Sequence, residues 1–305
     1  MKTIDNESVV LITGASRGIG RAVALAYAKR GARIILAARS AEALASVESA
    51  VASLGAEAIS VVTDVTSDES VAGLISVVEE KFGRVDVLVN NAGIGRVGEV
   101  SSPSFAGDVQ QTLQASLFGM IRVTQAVLPI MRRRGSGSIV NMSSVMGRKA
   151  FARFGSYAIV MHSVSAFSDA LRQELADSSI RVAVIYPALT ATDLLREVVE
   201  SDMPPPFRHM TPLTPEFVAN AIVAAVDKGK ARVVLPAQAN MLLLGEALSP
   251  RIGDAISKAL AIRPIARLLR MSRGQTYHQA IGLATGPGKT RHSDHGRGGS
   301  LQRRR

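Results

Sequence analysis

Short runs of β-branched and aliphatic residues alternate along the first 235 positions with longer stretches in which apolar residues recur every three or four. The short runs lie at 9–13, 33–38, 58–62, 85–90, 138–143, 180–186 and 232–235, which predicts seven strands. Most are apolar almost throughout, the mark of strands covered on both faces. Helical periodicity fills the intervals at 19–30, 41–54, 68–82, 105–133 and 156–176. Strictly alternating strand and helix predicts an α/β fold, a doubly wound seven-stranded parallel sheet with helices on both faces. No repeat beyond this alternation and no long linker interrupts residues 1–236, which read as one domain.

Beyond that domain the pattern changes twice. Residues 237–272 alternate leucine-rich stretches with cations, and Arg263, Arg267 and Arg270 fall at i, i+4 and i+7 on one helical face. Such a helical extension suits peripheral contact with an anionic membrane through 251–272. The same pattern also suits a solvated face of a helix packed on its own domain or on a subunit partner. Residues 273–305 form a basic tail; 286–305, rich in Gly and Arg with one leucine, cannot bury enough surface to order themselves. From residue 251 onward twelve Lys or Arg face only Asp254 and Asp294, so the end of the chain holds ten of the net +11. Its arginines have no interleaved aromatics, so nucleic acid is not an expected partner.

The 305 residues include no cysteine. That excludes disulfides, thiolate metal sites and a cysteine nucleophile, and no metal is expected. The first eight residues are polar and charged, unlike a signal peptide, and no apolar run near the C-terminus reaches the roughly 20 residues of a spanning helix. A cytoplasmic location is expected.

Directly after the first run stands Thr13-Gly14-Ala15-Ser16-Arg17-Gly18-Ile19-Gly20, opening a helix. Glycines at a strand-to-helix turn let the backbone approach a pyrophosphate, and the helix N-terminus offers unpaired N–H groups to it. About 20 residues on, where a carboxylate would read the ribose 2′-hydroxyl of NAD, the second strand ends Ala37-Ala38-Arg39-Ser40. Arg39 with Arg17 could form a cationic pocket for a 2′-phosphate, which favours NADP(H); solvated surface arginines are the plainer alternative.

The TGxxxGxG spacing resembles the classical short-chain dehydrogenase/reductase family, built on the Rossmann fold. Further motifs agree in order: Asp64-Val65, Asn90-Asn91-Ala92-Gly93, Ser143-Ser144 and Tyr157, over residues 9–235. The resemblance implies a nicotinamide cofactor held by Gly14, Ser16, Arg17, Gly18, Ile19, Gly20 and Arg39. Asp64 and Val65 would flank the adenine, and Asn90, Ala92 and Gly93 would support the cofactor loop. Pro187 to Thr192 would meet the carboxamide, with Ala188 in place of the family's glycine. It implies hydride transfer to or from a carbonyl or secondary alcohol, with Tyr157 as proton donor or acceptor and Ser144 orienting the oxygen. A homo-oligomer is the expected assembly.

Two positions depart from the family's pattern. Met161 replaces the lysine expected four residues after Tyr157, and Ser116 replaces an asparagine. A cation about 5 Å from the phenolate at an effective dielectric near 20 is worth roughly 3 kcal/mol, or about two pKa units, and methionine supplies none. Arg148, Lys149 and Arg153, between Ser144 and Tyr157, are candidates to replace it or to stand in solvent; His162 lies off the tyrosine's face. The segment 189–214, with apolar Leu194, Leu195, Val198, Val199, Met203 and Phe207, resembles the family's substrate lid. The reading is an NADP(H)-dependent oxidoreductase acting on an apolar or lipid-like carbonyl or alcohol. The alternative is an NADP-binding but catalytically silent sensor or scaffold.

Overall fold

The computed structural model describes residues 4–193, 203–204, 207, 210–260 and 262. The first apolar run folds as β1 (Val9–Thr13), buried along its whole length between β2 (Arg33–Ala38) and β4 (Val87–Asn90). β3 (Ala58–Val62) extends the sheet beyond β2, and β5 (Gly137–Met142), β6 (Ile180–Pro187) and β7 (Arg232–Leu235) extend it beyond β4. The order is β3-β2-β1-β4-β5-β6-β7 and every pairing is parallel, the doubly wound sheet expected. β4 starts two residues later than the apolar run at 85–90 suggests. At its entrance the Asp86 carboxylate accepts the Val9 N–H at 2.8 Å and pairs with Arg84 and Arg134.

Alternate residues of β1 feed opposite faces. Val10 and Ile12 pack with Ile34 and Leu36 under helices α1 (Gly18–Ala28), α2 (Ala41–Ala52) and α7 (Pro215–Lys228). Val9 and Leu11 pack with Ile35 and Leu88 under α3 (Asp68–Lys81), α5 (Gly119–Arg134) and α6 (Gly155–Glu174). Each such fully buried aliphatic side chain contributes about 1.5–3 kcal/mol of transfer free energy. Helix starts are sealed by the residues that seal them best: Ser40, Ser67 and Thr214 hydroxyls accept the N–H of Ala43, Ser70 and Phe217.

The long run at 105–133 is α4 (Phe105–Thr112), one wide π-helical turn (Leu113–Phe118) and α5 in succession. By length and composition it could cross a bilayer, yet Val123, Val127 and Ile130 pack on the sheet. After β7 come α8 (Ala239–Leu248) and α9 (Pro250–Leu260). Ala239 and Leu260 join a third apolar cluster with Val145, Met146 and Phe154, so this helical pair sits against the loop that follows β5. Arg263, Arg267, Arg270 and the tail at 273–305 lie outside the described residues.

Candidate active site

The chain leaves β1 toward β2 on one side and returns through β4 on the other, so the loops after β1 and β4 part and open a crevice at their C-terminal ends. A cleft of about 1520 Å³ occupies that place. The glycine turn forms one wall. Gly14 and Gly18 have φ of +64° and +54°, a left-handed conformation that favours glycine. A side chain on Gly14 would come within 2.9 Å of the Ala92 Cα, and one on Gly20 would run into the Gly14 carbonyl. The α1 N-terminus has no side-chain cap and no acid in its first turn, so its N–H groups are left for a ligand. These features fit the pyrophosphate of a dinucleotide.

The loop after β4 is tied to that turn. The Thr13 hydroxyl accepts the N–H groups of Asn91 and Ala92, and the Asn91 amide donates to the Thr13 and Gly14 carbonyls, each at 3.1 Å. Asn90, expected beside the cofactor loop, is placed elsewhere. Its amide donates to Thr124 on α5 and to Asn141, its register partner on β5, deep in the sheet. The supporting role therefore belongs to Asn91, and the reason is the pleat, which turns the last strand residue toward α5. Ala92 and Gly93 line the cleft, as do Gly14, Ser16, Arg17, Gly18 and Ile19, while Gly20 acts from beneath by its lack of a side chain.

At the far end the cleft is lined by Arg39, Ser40, Asp64, Val65 and Thr66. The backbone N–H and hydroxyl of Thr66, together with the nearby Arg39, hold the Asp64 carboxyl below its ordinary range. Arg17 reaches across the opening to Asp193 at 3.4 Å. Thr192 packs against the Gly18 turn, and its neighbour Pro187 lines the same wall. Ala188 causes no distortion in this segment: among the described residues other than glycine only Arg153 has a positive φ.

Ser144 and Tyr157 meet at the other end. The Ser144 hydroxyl caps the short turn Val145–Gly147 by accepting the Met146 N–H, and donates to the Pro187 carbonyl at 3.3 Å. Tyr157 stands at the start of α6, partly exposed to the cleft. Burial pushes its phenol up from the ordinary 10.0 to about 12, and the hydrogen bond with Ser144 pulls the other way. This exceeds the value near 10 that loss of a lysine alone implies, because desolvation adds to the missing cation.

Met161 is buried below Tyr157 in a cluster with Met120, Val160 and Val164, and it lines the cleft. Its carbonyl accepts the hydroxyls of Ser143 and Ser165 at 3.0 and 2.9 Å. None of the loop cations stands in for the absent lysine. Arg148 lies over the Tyr186 ring, Arg153 pairs with Glu99, and Lys149 is buried between Glu246 and Asp254. His162 faces outward with Nδ1 on the Ala158 carbonyl. Ser116 sits in the π-helical turn, where its hydroxyl accepts the Ile94 N–H at 3.1 Å and donates to the Ile94 carbonyl at 3.3 Å. Both ends of that hydroxyl are therefore spent on the loop.

Beside Tyr157 the cleft is lined by apolar Val97, Val145, Met146, Phe154, Leu189, Met203 and Phe207, while Arg96, Asp108, Gln110, Gln111 and Gln114 give it a polar side. Phe207 is buried edge-on against Phe151 at 4.9 Å. The remaining apolar residues of the expected lid, Leu194, Leu195, Val198 and Val199, lie outside the described residues. Two functional contacts have no clear sequence signal: Ser143, which holds the α6 backbone at residue 161, and Lys149, whose carboxylate partners are about a hundred positions away. Asn91 could have been found from strand alternation.

The comparisons with known proteins agree with this geometry. A profile of the short chain dehydrogenase family matches residues 8–202. The chain is 33% identical over 240 residues to ketoacyl reductase HetN of Nostoc sp., covering 77% of this chain and 80% of that protein. It is 35% identical over 246 residues to dehydrogenase/reductase SDR family member 7B of Bos taurus, covering 77% and 75%. Among solved structures it resembles a 7α-hydroxysteroid dehydrogenase complexed with NADH and 7-oxo glycochenodeoxycholic acid, with a TM-score of 0.70 at 27% identity over 76% of this chain and 94% of that one. An actinorhodin polyketide ketoreductase with NADPH gives 0.69 at 28%, over 77% and 97%. The glycine turn, the Ser144–Tyr157 pair and these likenesses converge: the chain belongs to the short-chain dehydrogenase/reductase family of NAD(P)-dependent oxidoreductases.

Proposed function

We propose that the protein is an NADP(H)-dependent reductase of an apolar carbonyl compound. The observation that carries this reading is the meeting of the Ser144 and Tyr157 hydroxyls beside an apolar wall, in a cleft whose other end holds Arg39 and no acid at the end of β2. When bound, the nicotinamide supplies the hydride. The α1 N-terminus and the Gly14–Gly18 turn would hold its pyrophosphate, and Arg39 would hold a 2′-phosphate.

Ser144 orients the substrate oxygen by donating a hydrogen bond, giving up its bond to the Pro187 carbonyl. Tyr157 donates its phenolic proton as negative charge develops on that oxygen. With its pKa at about 12 the phenol is fully protonated at neutral pH, the form needed for reduction. Oxidation needs the phenolate, which is scarce at pH 7 with the phenol pushed up to about 12. The apolar wall excludes water and selects an apolar body on the substrate, in keeping with the ketoacyl reductase and hydroxysteroid dehydrogenase among the similar proteins.

The test is a panel of apolar ketones with NADPH and with NADH, followed by absorbance at neutral pH. Turnover with NADPH, lost in Tyr157→Phe, is the expected result. A second reading rests on the lack, among the described residues, of a cation acting on Tyr157: the protein binds NADPH without turning over and serves as a sensor or scaffold. Tight NADPH binding with no consumption across the panel would select it.

A further inference from the structure

α8 is a surface helix without a polar outer face. Its outward positions Met241, Leu244 and Leu248 recur at i, i+3 and i+7 and are 57, 64 and 71% exposed. Ile252 on α9 and Ile262 just beyond it are also exposed, at 45 and 52%. Together these make five of the eleven large exposed hydrophobic residues of the described chain. An amphipathic helix ordinarily points its charges outward. Here the only charge on α8, Glu246, turns inward to the buried Lys149, 2.6 Å away.

The charge around this apolar stripe is cationic on balance. Asp254, the acid of α9, is also tied to Lys149, at 2.9 Å, so one buried cation from outside the helical pair holds both of its carboxylates, and Lys258 also acts on the exposed Asp254. That leaves exposed Arg251 and Lys258 beside the stripe. The sequence that follows continues the trend, with seven Lys or Arg and no Asp or Glu between residues 255 and 293.

From the exposed stripe and its cationic border we infer that the outer face of α8 and α9 docks on an anionic lipid bilayer. Apolar side chains in this arrangement enter the interface while the flanking cations meet anionic headgroups. The charge pattern selects this occupant over the others. A second copy paired through the same face would bring a cationic border against another cationic border. The chain beyond residue 262 is itself cationic and would meet like charge on the same border.

Flotation of the full chain with vesicles tests this. Vesicles containing phosphatidylglycerol should carry at least tenfold more protein than phosphatidylcholine vesicles, and raised salt should reduce the bound fraction. Leu244→Glu with Leu248→Glu should lower binding by tenfold or more while NADPH affinity stays unchanged. Should that pair impair folding, Arg251→Glu with Lys258→Glu should give the same loss. Failure of the full chain to float with anionic vesicles overturns the inference, as does binding unchanged in both variants. Sedimentation without vesicles supplies a further control: a mass that falls by half in the leucine variant assigns the face to a second copy and overturns the lipid assignment. In hydrogen exchange, protection of α8 without vesicles would assign it to the chain's own C-terminal segment, with the same effect.

Discussion

The Lys149 ammonium, carried on the loop between Ser144 and Tyr157, lies 2.6 Å from the Glu246 carboxylate on α8, 97 positions further along the chain. A second bond of 2.9 Å to Asp254 on α9 makes Lys149 the common anchor of both C-terminal helices. Burial pulls the lysine's pKa down, but the two carboxylates more than offset it and the net shift is upward. Because Ala239 and Leu260 pack in the same cluster as Met146 and Phe154, the ion pairs hold the helical pair against a wall of the cleft.

Lys149→Met should therefore destabilise the protein by about 2 kcal/mol, since Glu246 is left half-buried and uncompensated. Urea unfolding measures it. Asp254 is held below its ordinary pKa by Lys149, so its contribution is present above that ordinary value, 3.8, and is lost as the pH falls through the lower folded value. In Lys149→Met this acid-dependent component should shrink to what Lys258 alone supplies.

The pH dependence of catalysis follows from Tyr157. Ketone reduction should stay level through neutral pH and decline only as the phenol ionises near 12, while alcohol oxidation should rise toward the same limit. Met161→Lys should move the oxidation profile down by about two units if the ammonium comes within about 5 Å. Rates measured in both directions from pH 6 to 11 check the shift. Oxidation that is already rapid at pH 7 in the unaltered protein would contradict it.

Arg39→Ala should weaken NADPH binding by about 10- to 100-fold, the loss of one charge-assisted contact, and leave NADH binding unchanged. Calorimetry with both cofactors reads this directly. Arg17→Ala should have a smaller effect, because that guanidinium is shared with Asp193.

Ser116→Ala removes both bonds to the Ile94 backbone and should cost about 1–2 kcal/mol in urea unfolding. The loop after β4 would loosen, so cofactor KM should rise more than kcat falls.

The strands were legible because β-branched runs with no polar interruption have few other places to go than the middle of a parallel sheet; β1, β2, β3 and β7 begin and end where the apolar runs do. β4 was shortened by Asp86, whose carboxylate takes over a ladder position, a competition that hydropathy does not register. The π-helical turn was invisible because the Ser116–Ile94 bonds that accompany it are tertiary. Ser144 and Tyr157 could be placed from spacing because each follows a strand end or opens a helix. Alternation along β4 points the Asn90 amide at Thr124 and leaves the turn after it, from Asn91 on, to meet the glycine loop. Lys149 could not be paired at all, since nothing local relates it to Glu246 and Asp254.

Residue 161 also bears on how this protein can change over generations. The two serine hydroxyls that hold the Met161 carbonyl secure the helix backbone whatever side chain it carries. Methionine has a single codon, AUG, and one base substitution makes it AAG, which encodes lysine. A lysine four residues after Tyr157, as the resemblance implies, is thus a single mutation away, on a backbone whose carbonyl is already held. Selection for alcohol oxidation would have a short path here.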